Sequence, residues 1–269
     1  MENKKFQNLL TILQGMRSAL LAFSSGVDST FLLKAIQVSG INALSVTAAT
    51  EVIPYEDVLT AQGIADKLGI KHRIISINML LRDEFVRNTP ERCFFCKDRL
   101  YRDLQSIALK EGYAFILDGS TRDDINEFRP GRKAAGQYRV RSPLVEAHLS
   151  KSEVRQFSRR LGLPTWDKPS SPCLATRFPY GQRITREALH RVERAENFLR
   201  SLGFREFRVR DHGSVARIEV RQEELDLVLD PGKRTAISEA LKSLGYGFIS
   251  LDLDGYQSGS MDRVLKKNT

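Results

Sequence analysis

Residues 20–36 read LLAFSSGVDSTFLLKAI and predict a buried strand, a tight loop and a helix in direct succession. Residues 20–23 form a short apolar run bounded by Ser and Gly, which is typical of a buried strand, and residues 29–36 continue as a helix. A loop in this position gathers unpaired backbone N–H groups and the positive end of the helix dipole. The arrangement therefore predicts a phosphate-binding loop at residues 24–29.

The side chains of this loop suit a nucleotide. Gly26 allows the backbone to approach a ligand, and Ser24 and Ser29 can add hydroxyl donors. Asp28 can hold a Mg²⁺ ion that screens the phosphates. The alternative is an ordinary capped turn, in which Asp28 and Ser29 only start the helix. The predicted nucleotide-binding residues are Ser24, Ser25, Gly26, Val27, Asp28 and Ser29.

The alternation of strands and helices continues beyond the loop. Further strands are predicted at 43–48, 72–77 and 114–117, and helices at 56–68 and 97–109. This alternation favours an α/β fold with a doubly wound parallel sheet. Ligands of such sheets bind outside the carboxyl ends of the strands. The loop at 24–29 and the Asp118-Gly119 turn both follow a predicted strand, so both are expected there.

The pattern changes in the second half of the chain. SKSE at 150–153 is a capping-box signature that predicts a helix as far as residue 161. Residues 164–182 hold five prolines and glycines without periodicity, and long loops of this kind are usually functional. The elements predicted beyond it are a charged helix at 185–202, strands at 206–210, 216–221 and 248–253, and helices within 222–244. We therefore expect a nucleotide-binding domain at 1–182 and a small α+β domain at 183–269 that contributes to substrate binding.

Composition narrows the class of protein. The 269 residues include 42 basic and 33 acidic side chains, and the net charge of +9 favours polyanionic partners such as nucleotides. Basic residues are spread along the chain and form no basic tail, so nucleic acid is not the expected partner. No apolar run approaches the roughly 20 residues that a membrane span needs. The N-terminus lacks a secretory pattern, so we expect a soluble cytoplasmic protein that binds no membrane.

Three cysteines call for an explanation. Cys93 and Cys96 form a C-x-x-C pair just before the helix predicted at 97–109, and Cys173 lies in the long loop. Disulfides are not expected in a cytosolic chain, so the thiols serve metal, redox or nucleophilic chemistry unless they are inert. A zinc site needs four ligands, and the four histidines are scattered. No thioredoxin-like context surrounds the pair.

The phosphate loop resembles the PP-loop, Ser-Gly-Gly-x-Asp-Ser, of the ATP pyrophosphatases. That family includes NAD and GMP synthetases and thiolation enzymes, and Ser25 stands where its second residue is usually Gly. The resemblance implies an adenine nucleotide α-hydrolase-like fold at 1–182 and cleavage of ATP between the α and β phosphates. The P-loop pattern does not fit, because no Gly-Lys-Ser/Thr follows.

Other stretches resemble the LarE family over nearly the whole chain. They are DGS at 118–120 with DD at 123–124, RPG at 129–131, SPL at 142–144, SPCLATRFPYG at 171–181 and LDLDGYQSGS at 251–260. That family inserts sulfur into pyridinium-3,5-biscarboxylic acid mononucleotide during assembly of the nickel-pincer nucleotide, the cofactor of lactate racemase. The resemblance implies an ATP-dependent sulfurtransferase that transfers AMP to a substrate carboxylate and then replaces AMP with sulfur.

The resemblance also gives the cysteines a role. In part of the family, the single cysteine of Pro-Cys-Leu-Ala gives up its own sulfur and becomes dehydroalanine. Three cysteines can hold a [4Fe–4S] cluster whose fourth iron stays open for exogenous sulfide. This sequence fits the three-cysteine version, with Cys93, Cys96 and Cys173 as ligands and with Cys173 and Asp28 as catalytic residues. Sacrificial transfer from Cys173 remains the alternative. A nucleotide substrate and a sulfide donor are the expected partners, in a homo-oligomer.

Arg208 and Arg210 lie two apart on a predicted strand and therefore project to one face. Two neighbouring guanidinium groups make a good phosphate clamp. The family resemblance implies the substrate phosphate as their ligand, together with Thr176 and Arg177. The alternative is a pair of solvated arginines on an edge strand. Glu196 resembles a metal-binding position of the family, assigned to Mg²⁺ here, although a surface ion pair explains it almost as well.

Other functions stay open at this stage. A tRNA 2-thiolation enzyme also combines a PP-loop with cysteine chemistry, but no further C-x-x-C pair or RNA-binding appendage is evident. An ammonia-dependent amide ligase similar to NAD synthetase would leave the three cysteines idle. A non-enzymatic nucleotide- or cluster-binding module would bind ATP without releasing pyrophosphate.

Overall fold

The computed structural model describes residues 2–126, 130–170, 172–257 and 259–266. Of the quoted motifs, Arg129, Ser171 and Ser258 lie outside the described residues. By its contacts the chain divides into two compact units. The first unit is Met1–Met79 with Pro90–Ser171, and the second is Leu80–Thr89 with Pro172–Thr269. Residues 172–182 thus group with the second unit, ahead of the domain boundary that the sequence predicts at 182–183.

The elements agree closely with the sequence pattern. Within the described residues the strands are β1 (Ser18–Ala22), β2 (Asn42–Ala49), β3 (Lys71–Ser76), β4 (Phe115–Leu117), β5 (Phe207–His212), β6 (Val215–Val220) and β7 (Phe248–Leu251). The α-helices there are α1 (Glu2–Gln14), α2 (Val27–Ser39), α3 (Tyr55–Lys67), α4 (Asp83–Val86), α5 (Arg92–Glu111), α6 (Gly131–Gln137), α7 (Pro143–Glu146), α8 (Lys151–Arg160), α9 (Arg186–Ser201), α10 (Leu225–Leu229), α11 (Pro231–Ser243) and α12 (Arg263–Lys266). In the described part of the chain, no helix combines the length and the apolar character that crossing a membrane requires.

The first unit is built on a parallel sheet with helices on both faces. Among the described residues the strand order is β3-β2-β1-β4, and every pairing in it is parallel. The predicted α/β class with a doubly wound parallel sheet is therefore confirmed. Because the strands are parallel, all their carboxyl ends meet at one edge, where the segments after β1 and β4 carry the 24–29 loop and the Asp118-Gly119 turn.

The central strand β1 supplies both faces of the core. Leu20 packs into one apolar cluster with Tyr101 and Leu104 of α5, whereas Leu21 packs into another with Phe31 of α2. Successive side chains of a strand point to opposite faces, which explains how two adjacent leucines serve two cores. Both leucines are fully buried, and each contributes roughly 1.5–3 kcal/mol of hydrophobic stabilisation.

Helix α8 begins with the predicted capping box. The Glu153 N–H donates to Ser150 Oγ at 3.3 Å, and the Ser150 N–H donates to Glu153 Oε2 at 2.8 Å. Lys5 of α1 also donates to the Glu153 carboxylate, at 2.6 Å. Burial opposes ionisation of this carboxyl, but the hydrogen bonds from Lys5 and Ser150 outweigh it and lower the pKa of Glu153 to about 2. The capping prediction is confirmed.

The second unit is built on a small mixed sheet. Among the described residues its order is β5-β6-β7, with β5 and β6 antiparallel and β6 and β7 parallel. One face packs on α9 and α11, where Phe207 and Val209 of β5 meet Leu199 and Leu241. The alternation of side chains along β5 then directs Arg208 to the opposite face.

A strap from the middle of the first unit's sequence belongs to the second unit. Within this strap, residues 80–89, Asn88 is fully buried and adopts a left-handed conformation with φ of 53°. Its amide donates to the carbonyls of Pro179 at 2.7 Å and of Phe178 at 3.3 Å. Its own carbonyl accepts the N–H of Gly181 at 3.0 Å. The strap is therefore fixed to the segment that follows Cys173.

Candidate active site

The PP-loop turns through a left-handed residue. Ser25 has φ of 52° and is fully buried, and its hydroxyl donates to the carbonyl of Asp57 at 3.0 Å. A left-handed conformation costs a residue other than Gly roughly 1–2 kcal/mol, which explains why Gly is usual at this position. The hydrogen bond offsets about 0.5–1.5 kcal/mol of that cost. Ser25 therefore adopts the left-handed conformation at a reduced cost.

The two serine hydroxyls of the loop face each other at the start of α2. Ser24 Oγ lies 3.1 Å from Ser29 Oγ, and Ser29 Oγ also donates to the Gly26 carbonyl at 3.3 Å. Gly26 is the N-cap of α2, and in the described structure no side chain caps the helix there. A 13-residue helix that starts in this way presents its first N–H groups and its positive dipole end to an anion.

One of the two carboxylate oxygens of Asp28 has a partner among the described residues, and the other has none. The Oδ2 atom forms an ion pair with Lys151 Nζ at 3.0 Å, whereas Oδ1 is buried and has no hydrogen-bond partner among the described residues. Burial is the main cause that raises the pKa of the Asp28 carboxyl, the charge of Asp124 adds to it, and Lys151 offsets it in part. A buried carboxylate oxygen without a partner calls for a ligand, and Mg²⁺ prefers carboxylate oxygens. The residue fits the predicted Mg²⁺ role.

The turn after β4 closes the other side of the loop. A Cβ atom at Gly119 would lie 3.0 Å from the Ser29 backbone nitrogen, so a larger residue would push the turn and the loop apart. The Asp118 carboxylate accepts hydrogen bonds from the hydroxyls of Ser120, Ser142 and Tyr101, at 3.0, 2.7 and 3.3 Å. The DGS and SPL motifs therefore meet beside the PP-loop.

Two lysines that the sequence pattern did not single out lie beside the loop at residues 24–29. Lys151 contacts Asp28, and Lys168 Nζ donates to the Ser25 carbonyl at 3.3 Å and to Asp57 Oδ1 at 2.9 Å. Two ammonium groups beside a helix N-terminus suit the charge of a pyrophosphate. Lys151 lies inside the capping-box motif, which drew attention to the helix end only. Lys168 lies 143 positions from Ser25 in the sequence, so no local sequence pattern predicts their contact.

The C-x-x-C pair lies within α5. The sequence predicted the pair just before a helix beginning at residue 97, and this was wrong because α5 begins at Arg92. Cys93 is exposed and Cys96 is half-buried, and residues three apart on a helix are neighbours on its surface. The half-buried ammonium of Lys97 lies 5.5 Å from the Tyr101 ring. Tyr101 is the main cause that raises the pKa of Lys97, and Asp118 and the two thiols add to it.

Cys173 belongs to the second unit and is half-buried. It precedes a short 3₁₀ helix, Leu174–Arg177, inside the segment predicted as a long loop. Its carbonyl accepts from Thr176 N at 3.0 Å, from Thr176 Oγ1 at 2.9 Å and from Arg177 Nη1 at 3.3 Å. Within the described ranges, no three His, Cys, Asp or Glu side chains are gathered as a metal site. The three-cysteine cluster therefore stays a prediction.

Arg177 and Glu196 form a buried ion pair. Arg177 Nε and Nη2 donate to the two Glu196 oxygens at 2.7 and 2.9 Å, and Glu196 Oε1 also accepts the Val209 N–H at 3.1 Å. Burial opposes ionisation of Glu196, but Arg177 outweighs it and lowers the pKa. Both carboxylate oxygens already accept hydrogen bonds, so a metal ion at Glu196 would compete with Arg177 for this carboxylate.

Arg210 is held by protein groups on several sides. Its Nη2 donates to Glu219 at 2.6 Å and to Ser260 at 2.9 Å, and its Nη1 donates to the Thr176 carbonyl at 3.0 Å. Glu219 is fully buried and Arg210 nearly so. The alternative of a solvated arginine on an edge strand therefore does not hold for Arg210.

Arg208 contacts Tyr256 and the backbone of β5. Its Nη2 lies 3.4 Å from the Tyr256 hydroxyl, and its guanidinium carbon lies 4.8 Å from the centre of the Tyr256 ring. Its Nη1 donates to the carbonyl of the preceding Phe207 at 2.5 Å. Burial is the main cause that lowers the pKa of Arg208, and the charge of Arg177 adds to it. A buried cation beside two other arginines, Arg177 and Arg210, would be stabilised by an anion.

The second unit therefore brings the predicted phosphate residues together. The described residues of this cluster are Thr176, Arg177, Arg208 and Arg210, with Glu196 and Glu219 as the carboxylates that contact them. Three guanidinium groups face two carboxylates, which leaves an excess of positive charge. That excess suits the phosphate of a nucleotide.

Comparison with known proteins decides the family. A pyridinium-3,5-bisthiocarboxylic acid mononucleotide synthase of Lactiplantibacillus plantarum is 37% identical over 265 residues, which cover 98% of this chain and 95% of that protein. The chain belongs to this synthase family, the LarE family. No protein-family model matches the chain.

Two further relatives agree with membership of the LarE family. An uncharacterized protein of Synechocystis sp. is 42% identical over 268 residues, which cover 99% of this chain and all of that protein. A tRNA-specific 2-thiouridylase MnmA of Rhodospirillum rubrum is 28% identical over 192 residues, 56% of this chain and 51% of that protein. The LarE-family chain is thus an enzyme of the sulfurtransferase class with a PP-loop fold.

Proposed function

We propose that this chain uses ATP to convert a carboxylate of pyridinium-3,5-biscarboxylic acid mononucleotide into a thiocarboxylate. The proposal rests on the similarity of this chain, over nearly its full length, to a protein named for the bisthiocarboxylic product. The geometry of the PP-loop supports the proposal. A helix N-terminus and two lysines can bind the negative charge of a triphosphate, and the unpartnered Asp28 oxygen can bind its metal ion.

The first step activates the carboxylate. A substrate carboxylate oxygen attacks the α-phosphorus of ATP, the bond to the β-phosphate breaks, and pyrophosphate leaves with its electron pair. The loop at residues 24–29 holds the phosphates, and Asp28 Oδ1 would bind the Mg²⁺ that screens them. The product is a mixed anhydride of the substrate with AMP.

The second step replaces AMP with sulfur. A sulfur nucleophile attacks the carbonyl carbon of the anhydride, and AMP leaves with the electron pair of the broken C–O bond. The proton of the sulfur nucleophile passes to solvent, and the thiocarboxylate remains. Activation is necessary because an oxide is a poor leaving group, whereas AMP is a good one.

The substrate phosphate is assigned to the second unit. Arg208 is the main phosphate ligand in this proposal, because burial and the charge of Arg177 both lower its pKa and a bound anion would offset both effects. Arg210 and the Thr176 hydroxyl would line the same site, and Arg177 adds its charge. A charge-assisted hydrogen bond from a buried guanidinium is among the stronger contacts that a phosphate can receive.

The sulfur source of the proposal is a [4Fe–4S] cluster held by Cys93, Cys96 and Cys173. When bound, such a cluster can carry an exogenous sulfide on the iron that has no cysteine ligand. The donor chemistry fits, because two thiols lie three apart on one helix and the ammonium of Lys97 can balance their charge. Sacrificial transfer from Cys173 alone is the competing route.

The cellular setting is part of the proposal. Thiolate ligands persist in reducing compartments, which favours the cytoplasm. The expected partners are the mononucleotide and a sulfide donor, with neither membrane nor nucleic acid, and the enzyme is expected to be a homo-oligomer. Residues 1–182 would carry ATP chemistry and residues 183–269 would contribute to substrate binding.

Pyrophosphate release tests the activation step. The anaerobically purified protein is given ATP and Mg²⁺ with the mononucleotide, with tRNA, or with neither. We expect pyrophosphate only with the mononucleotide. Release with tRNA alone would favour a thiouridylase, and ATP binding without release under any condition would favour a non-enzymatic module.

Iron content tests the sulfur source separately. The reconstituted protein should be brown and oxygen-sensitive, and each of the changes Cys93→Ala, Cys96→Ala and Cys173→Ala should reduce bound iron and sulfur transfer together. Pyrophosphate release should survive in the Cys93→Ala and Cys96→Ala proteins. A colourless Cys93→Ala protein with full sulfur transfer would overturn the cluster.

A further inference from the structure

One guanidinium group contacts the two backbone carbonyls on either side of the Cys173 α-carbon. Arg177 Nη1 lies 2.9 Å from the Pro172 carbonyl, 3.3 Å from the Cys173 carbonyl and 2.8 Å from Thr176 Oγ1. The Thr176 hydroxyl in turn donates to the Cys173 carbonyl at 2.9 Å. These contacts fix the backbone of the residue that carries the sulfur atom.

Glu196 fixes the other side of this guanidinium. Its two oxygens accept from Arg177 Nε and Nη2, and its Oε1 also accepts the N–H of Val209 on β5. Only 3% of Arg177 and 4% of Glu196 are exposed, so water does not compete with these bonds. A bidentate guanidinium–carboxylate pair is geometrically specific. The position of the Cys173 backbone is thereby tied to the sheet of the second unit.

We propose that Arg177 and Glu196 are positioning residues that hold the Cys173 peptide in place for sulfur transfer. The inference rests on the proposed role of Cys173 in that transfer. It gives Arg177 a task beyond the charge that it adds to the phosphate site, and it gives Glu196 a task other than metal binding.

The donor count favours this assignment. A guanidinium has five N–H donors. The Nε donor and one Nη2 donor of Arg177 face Glu196, and Nη1 faces three acceptors around Cys173. One Nη2 donor at most remains for a ligand. Arg208, which burial and the charge of Arg177 make an unfavourable cation, is better suited to a substrate phosphate.

The test removes the whole ion pair. Deleting one partner would leave a buried charge uncompensated and could unfold the protein, whereas apolar replacement of both partners is often tolerated. The variant is therefore Arg177→Met combined with Glu196→Leu, and Glu196→Gln alone is the milder companion. The matched control is Arg191→Met combined with Asp211→Asn, because it also removes an ion pair of the same unit without leaving a buried charge, and neither residue contacts Cys173 or Arg177 in the described structure.

Two measurements are made on the full-length protein. Hydrogen exchange is followed by mass spectrometry in the peptide that spans residues 172–178, and steady-state kinetics are measured for the mononucleotide. We expect faster exchange in that peptide for the Arg177→Met and Glu196→Leu double variant only. We also expect kcat for thiocarboxylate formation to fall about 100-fold, the usual effect of a misplacement of about 1 Å, with KM for the mononucleotide unchanged.

The outcomes separate the competing roles. A raised KM with unchanged exchange would overturn the proposal and make Arg177 a phosphate ligand. A Glu196→Gln protein that keeps normal exchange but needs more Mg²⁺ would also overturn it and make Glu196 a metal ligand. If the wild-type protein transfers no sulfur, the proposed function fails, and the exchange comparison still decides whether the ion pair holds the Cys173 peptide.

Discussion

Asp28 Oδ2 and Lys151 Nζ lie 3.0 Å apart, and this pair joins the first turn of α2 to the first turn of α8. The contact engages one oxygen of the carboxylate and leaves Oδ1 buried without a hydrogen-bond partner in the described structure. Asp28 can thus bind a metal ion through Oδ1 while Oδ2 holds Lys151, whose ammonium group can bind a phosphate. The pair explains why a buried carboxylate at a helix N-terminus suits ATP chemistry.

The Asp28→Asn variant should release no pyrophosphate, because a neutral amide cannot balance the charge of Mg²⁺. Its free energy of unfolding should not fall, because the native carboxylate is buried with one oxygen unsatisfied, an arrangement that is itself unfavourable. A pyrophosphate assay and urea denaturation measure the two effects. The exposed Asp66→Asn on α3 is the control and should behave as wild type in both. Normal pyrophosphate release by Asp28→Asn would remove this residue from the mechanism.

Arg208→Ala and Arg210→Ala should differ. Arg208→Ala should weaken binding of the mononucleotide by about 1.5–3 kcal/mol, the scale of a hydrogen bond to a charged group. Arg210→Ala removes one of the two arginines that pair with the fully buried Glu219, the other being Arg217, and should also destabilise the protein by about 1–3 kcal/mol. Calorimetric titration and urea denaturation separate binding from stability.

ATP provides the control for both arginine variants. The PP-loop belongs to the first unit and the arginines to the second, so ATP affinity should change much less than affinity for the mononucleotide. An equal loss for both ligands would show that the arginines serve a different pocket.

Glu153 should make stability depend on pH in the acid range. Its pKa in the folded protein is about 2, below the ordinary 4.5, so its contribution is complete above 4.5 and is lost as the pH falls towards 2. The difference in free energy of unfolding between wild type and Glu153→Gln should therefore shrink across that interval. Urea denaturation at a series of pH values measures it, with the exposed Glu84→Gln as control. A difference that stays constant between pH 5 and pH 2 would contradict the assignment.

Asn88 should be a sensitive position of the second unit. Asn88→Gly removes the two hydrogen bonds to the Phe178 and Pro179 carbonyls and should cost about 1–3 kcal/mol of stability. Asn88→Ala should cost more, because its backbone must also hold a φ of 53°, which glycine tolerates freely. Arg183→Ala removes only the exposed ion pair with Asp83 between the same segments and should cost little. Equal stability of Asn88→Gly and wild type would show that the Asn88 side chain does not fix the strap to the segment after Cys173.

Local patterns predicted most of the fold. The strand, loop and helix at 20–36, the strands of both sheets and the capping box at Ser150 depend on residues close in sequence, so periodicity and capping rules find them. The start of α5 was predicted late because no Ser, Thr, Asp or Asn caps it and Glu91 is the N-cap. The short helices α6 and α7 gave no periodic signal because each has fewer than eight residues.

The site was harder to predict where contacts are distant in sequence. The pattern identified the PP-loop, the cysteines and the arginines, but it could not show that Lys168 reaches Ser25 or that Asn88 holds the chain after Cys173. It also could not show that Glu196 is buried against Arg177, because a lone glutamate on a charged helix looks exposed. Such facts depend on tertiary packing, which a one-dimensional pattern does not encode.

Counting products per enzyme while weighing the intact protein tests the central claim most directly. The protein is incubated anaerobically with ATP, Mg²⁺, sulfide and the mononucleotide, and mass spectrometry then follows both the nucleotide and the chain. We predict more than one thiocarboxylate per chain, with matching AMP and pyrophosphate and with Cys173 unchanged. Dehydroalanine at position 173 after a single product would contradict the cluster, and a complete lack of thiocarboxylate would contradict sulfur transfer itself.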